Sequence, residues 1–124
     1  MSISKSKREA VRMKFGGKCA YCGCELKKGW HVDHIEPVIR NPYTKKMYLP
    51  ERDIIENMNP SCPPCNIHKH SLSIEEFRRQ IEYHTKAMNR ASTQYKFLKK
   101  FGLIEETGKK VVFYFEKFNK GEVK

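Results

Sequence analysis

The chain is short of acid. Its 124 residues hold 14 Asp and Glu against 25 Lys and Arg, for a net charge of +11. That balance argues against a partner that is itself cationic and favours a polyanion, most often nucleic acid and less often an anionic membrane surface. A solvated basic face with no partner is the plainer alternative. Long apolar runs are also missing. The longest, Val111 to Phe115, is far too short to span a bilayer. The basic opening residues lack the apolar stretch of a secretory signal, so a soluble, cytoplasmic protein is expected. No repeat, low-complexity segment or linker breaks the chain, and the length suits one domain over 1–124.

What is present is cysteine, five in all. Disulfides are disfavoured in a reducing compartment, so these thiols need another role. Cys19 and Cys22 form one CxxC pair, and Cys62 and Cys65 form a second. Two such knuckles suit tetrahedral Zn2+, because each can place two sulfurs about 3–4 Å apart around Zn–S bonds of about 2.3 Å. Four thiolates leave no open coordination position, so the expected zinc is structural. Redox CxxC motifs and unrelated core thiols are the alternatives. Cys24 stands outside this pattern.

Local signals give an α+β reading. A basic helix is expected from Ser4 to Phe15, stopped by Gly16 and Gly17. Trp30 to Ile35 reads as a strand ended by Pro37. Residues 38–56 read as a long loop with a small hairpin, and loops of that length inside a compact domain are usually functional. Asn57 to Ser61 is a second strand, and Pro63 and Pro64 open a short helix through His70. Ser73 and Glu76 form a capping box for a further helix that turns Phe77, Ile81 and Met88 toward the core. A last strand is expected over 110–118, within an extension spanning 74–118.

Asp33-His34 lies between the knuckles and Asn66 directly follows the second. Phosphodiester hydrolysis needs a base for water, a hard cation for the phosphate charge and a positive group on the phosphate. His34 suits the base, being an imidazole largely neutral at pH 7. Asp33 and Asn66 offer oxygen ligands to a divalent ion. On a helix Asn66, Lys69 and His70 share a face, so Lys69 is expected to reach the scissile phosphate, and His68 points away. Each residue alone has a plain reading as a surface or helix-side polar group.

The stretches HVDHIEPV and ENMNPSCPPCNIHK together resemble the HNH endonuclease family, over about residues 19–70. The resemblance implies a ββα-metal core stapled by the four cysteines, flanked by N- and C-terminal helices and the C-terminal strand. It implies that His34 is the general base, Asp33 a metal ligand, and Asn57 the central asparagine that orients the base imidazole. Asn59 competes with Asn57 for that role. Asn66 stands where many members have histidine, so the chain resembles the HNN variant, and an oxygen donor there favours Mg2+ or Mn2+. His70 matches a second histidine of colicin-type nucleases. The flanks are similar to small nucleases of phages and prophages. The implied activity is metal-dependent DNA hydrolysis leaving a 5′-phosphate and a 3′-hydroxyl, with nicking expected of a monomer. The contrasting reading is an inactive zinc-stabilised nucleic-acid binding module.

Overall fold

The computed structural model describes residues 3–122. Helix α1 runs Lys5–Arg12. The Ser4 hydroxyl accepts from Lys7 N at 3.3 Å and starts it. A 3-10 turn over Met13–Phe15 ends it at Gly16, whose φ of 65° suits a residue without a side chain. Val11 and Phe15 are its buried face.

Strands β1, His31–His34, and β2, Met58–Ser61, form an antiparallel pair in which Asp33 lies opposite Asn59 and His34 opposite Met58. Helix α2, Pro63–Lys69, follows at once. Cys62 is its N-cap and proline fills its first turn, where no amide donor is needed. Two strands and one short helix thus carry the centre of the molecule. Helices α3, Ile74–Ala91, and α4, Thr93–Lys100, extend it. The Ser73–Glu76 capping box forms as the sequence indicates, at 3.2 and 3.0 Å. Phe77 is buried and Ile81 packs on the core, but Met88 is exposed.

The tail departs from expectation. No strand forms over 110–118; an extended stretch leads into helix α5, Tyr114–Asn119. Two groups decide this. The Glu116 carboxylate turns back to accept from Phe113 N at 2.8 Å, so it caps a helix start. Helical spacing also brings Phe115 and Phe118 together onto Phe15, with ring centroids 6.4 and 5.4 Å away. The segment does pair locally, because Tyr114 N donates to Tyr21 O and Phe115 N to Ala20 O. Arg78 of α3 then clamps it with two 2.9 Å bonds to Glu116.

The core is aromatic and sits under the first cysteine knuckle. Tyr21 meets Phe77 and Phe113 edge-on at 5.5 Å, and Phe77 stacks on Phe113 at 5.2 Å. Among the described residues no helix is long and apolar enough to cross a membrane.

Candidate functional site

The four knuckle cysteines converge. The sulfurs of Cys19, Cys22, Cys62 and Cys65 all lie within 4.8 Å of one another. Cys22 and Cys62 Sγ are 3.8 Å apart. Tetrahedral Zn–S bonds of about 2.3 Å require sulfurs about 3.8 Å apart, so the donor set fits zinc. The Tyr21 and Cys62 amides point at Cys19 Sγ, each at 3.4 Å. The Cys65 thiol and neighbouring amides draw Cys19 down to about 4, and the same contact, with burial, pushes Cys65 up. Cys24 is not one of the four.

Beside this staple lies a cleft of about 680 Å³. Asp33 and His34 of β1, Asn66 of α2 and His70 just after it line the cleft together. α2 starts at Cys62, so the knuckle sets where Asn66 falls. His70 ends α2 with φ 49° and ψ −123°, a conformation unusual for a residue with a side chain. Its Nδ1 lies 2.7 Å from Ser71 Oγ. His68 lies away from this group, edge-on to His84 at 5.9 Å.

Lys69 corrects the sequence reading. It is fully buried, and its ammonium does not face the cleft. Nζ lies 3.1 Å from Asp33 Oδ2 and donates to His34 O at 2.9 Å. The Tyr21 hydroxyl donates to the same carboxylate, and Asn59 Nδ2 lies 3.4 Å behind that hydroxyl. Burial drives the Asp33 carboxyl upward, and the Lys69 ammonium and the Tyr21 hydroxyl oppose it. Lys69 therefore braces Asp33 and the end of β1 from inside.

His34 has a partner that the sequence did not suggest. Its Nε2 lies 2.8 Å from Asp53 Oδ1. An ionised carboxylate only accepts, so Nε2 carries the proton and a neutral His34 keeps its lone pair on Nδ1. Asp53 reaches this position through Asn57. The Asn57 side chain donates to Glu36 O and Arg52 O at 2.8 and 2.7 Å and accepts from Glu36 N at 2.9 Å. Its carbonyl accepts from Ile35 N. Asn57 thus ties the residues after His34 to the turn that ends at Asp53. Asn59 lies beneath Asp33, wholly buried.

For a catalytic cation the cleft offers the Asp33 carboxylate, the Asn66 amide oxygen and an imidazole nitrogen of His70. These are oxygen-rich donors of the kind that hold Mg2+ or Mn2+. Asp33 already carries Lys69 and the Tyr21 hydroxyl and is 4% exposed.

Compared with models of protein families, residues 19–72 match the model described as HNH endonuclease. No curated protein and no solved structure gives a significant match.

Proposed function

We propose that this chain, whose residues 19–72 match the HNH endonuclease model, is a metal-dependent endonuclease that hydrolyses DNA phosphodiester bonds. The observation that carries the reading is the cleft in which Asp33, His34, Asn66 and His70 meet beside the cysteine staple. His34 takes a proton from the attacking water at Nδ1, while Asp53 holds Nε2–H and fixes the ring. Asn57 positions both residues through the backbone it ties. Asp33, Asn66 and His70 would hold a divalent ion, Mg2+ or Mn2+. Such an ion supplies Lewis-acid stabilisation of phosphate charge. Lys69 contributes by keeping Asp33 in place. The four cysteines would hold structural Zn2+ and no substrate.

One active site serves one strand at a time, so a monomer nicks DNA, leaving a 5′-phosphate and a 3′-hydroxyl. A place among small phage-encoded nucleases is in keeping with the resemblance of the flanks. An inactive zinc-stabilised DNA-binding module would keep the staple and the charge, but it has no use for a carboxylate aimed at the His34 ring.

Supercoiled plasmid incubated with the purified chain tests the proposal. Mg2+ or Mn2+ should convert it to nicked circles, and a chelator should stop the conversion. Asp53→Ala should lower kcat by about 10-fold or more, with KM little changed. Asp53→Asn should recover part of that loss, because its amide oxygen still accepts from Nε2–H. Plasmid that stays supercoiled with either metal would overturn the nuclease reading.

A further inference from the structure

Between β1 and β2 the chain folds into a hairpin over residues 38–49. Leu49 N donates to Val38 O at 3.0 Å, Tyr48 N to Ile39 O at 2.8 Å and Asn41 N to Lys46 O at 2.9 Å. The turn is specified residue by residue. Asn41 Oδ1 accepts from Tyr43 N at 2.8 Å and Thr44 N at 3.0 Å, and Pro42 supplies a fixed φ at the next position. Lys45 closes the turn at φ 63° and donates to Asn41 O at 2.9 Å. The Asn41 amide also donates to the Tyr48 hydroxyl at 2.8 Å. The hairpin is therefore built by Asn41 and Pro42, and Tyr43 at its tip is 91% exposed.

Its base is a wall of the cleft. Val38, Ile39 and Arg40 line the same space as Asp33, His34, Asn66 and His70. Arg40 is the one arginine or lysine among the described residues lining that space. Lys45 and Lys46 are exposed beyond it, and no acid occurs from 37 to 50. Some other cations are engaged within the protein, and Arg40 Nη1 itself reaches Lys45 O at 3.4 Å. Lys69 is on Asp33. Arg8 lies 4.1 Å over the Trp30 ring and donates to its carbonyl. Arg12 pairs with Glu9, and Lys14 donates to Met58 O and Ile55 O.

We infer that this hairpin is the element that grips duplex DNA beside the cleft. The inference rests on the cleft being a phosphodiesterase site and names the contact that brings the substrate to it. Arg40 holds a phosphate next to the scissile one. Lys45 and Lys46 contact phosphates further along the backbone. Tyr43 packs into the groove between them, since a two-stranded ribbon is narrow enough to enter a major groove of about 12 Å. Charge and ring contribute differently. Phosphate contacts release counterions and so appear in the salt dependence of binding, whereas packing of the ring does not.

The test uses the full chain carrying His34→Ala, so that a labelled duplex stays uncut, and reads Kd against salt concentration. Adding Lys45→Ala and Lys46→Ala should weaken binding by about tenfold or more and flatten the log–log salt slope by about 2. Adding Arg40→Ala should flatten it by about 1. Adding Tyr43→Ala should weaken binding without changing the slope. All four residues are exposed, so thermal melting should match the His34→Ala parent. Removing Lys5 and Lys7 on α1 should cost less than removing Lys45 and Lys46. Hairpin variants that bind as tightly as their parent and with its salt slope would overturn the inference. So would a parent that binds no duplex. Cleavage by the His34→Ala parent would instead count against the proposed base and leave the binding comparison intact.

Discussion

Lys69 and Asp33 illustrate how a motif residue can serve from behind the site. The pair is desolvated, with relative exposures of 0% and 4%. Removing one member of such a pair leaves a buried charge without its partner, which costs about 3–5 kcal/mol. Lys69→Met should therefore destabilise by that order in urea unfolding. Combining it with Asp33→Asn should cost less than the two changes summed. A solvated phosphate-binding lysine would instead lose under about 0.5 kcal/mol. Spacing alone suggested the second outcome, because Asn66, Lys69 and His70 occupy one helical quadrant. Only the packing of β1 against α2 reveals that this quadrant has an inner edge, with Lys69 inside and Asn66 and His70 outside. Asp53 was illegible for a different reason. It lies far from His34 in a polar loop, and no spacing relates them until Asn57 ties the loop down. Asp33, His34, Asn66 and His70 are expected together because two separate stretches, HVDHIEPV and ENMNPSCPPCNIHK, resemble one family motif, and all four line one cleft.

At the scale of elements, helix starts were readable where a cap is local. Ser4 and Ser73 sit immediately before their helices, and both helices form. The apolar run near 111–115 misleads because a continuous run carries no period that separates strand from helix. Its outcome depends on Phe15, far away in sequence, and on Glu116. Where the run docks, Gly23 is required: its φ is 80°, and a Cβ there would meet the Tyr114 ring at 2.5 Å. The α3–α4 pair depends on another local network. Glu106 accepts from the Tyr95 hydroxyl at 2.6 Å, from Lys99 Nζ at 3.0 Å and from the Asn89 amide. These bonds, led by that of Tyr95, hold its carboxyl down at about 2. A carboxyl depressed in the folded state stabilises above its ordinary value and loses that contribution as pH falls toward the folded one. The parent should thus melt higher than Glu106→Gln at about pH 6, and the gap should narrow as pH falls from about 4.5 toward about 2. An equal gap throughout would show that proton linkage at Glu106 plays no part.

The molecule as a whole is a small α+β fold joined at one point. The knuckles at Cys19–Cys22 and Cys62–Cys65 bring together α1, the β pair, α2 and, through Tyr21 and Ala20, the tail. Structural zinc in small domains contributes about 10–16 kcal/mol of binding free energy to folding. Cys62→Ser should therefore lower bound zinc below one ion per chain and reduce Tm by more than about 10 °C. A variant that keeps the parent's Tm, from a parent that holds no zinc, would remove the staple from the account. The net charge favours a polyanionic partner without locating its contacts, because some cations, such as Arg8 and Lys14, are used within the fold. His34, in the cleft beside the staple, is the group proposed to activate water for DNA hydrolysis. The direct measurement is the rate of plasmid nicking with Mg2+ or Mn2+ by the parent and by His34→Ala, alongside melting and duplex binding of both. The expected result is a loss of about 10²–10⁴-fold in rate with folding and binding retained. Nicking by His34→Ala at the parent's rate would contradict it.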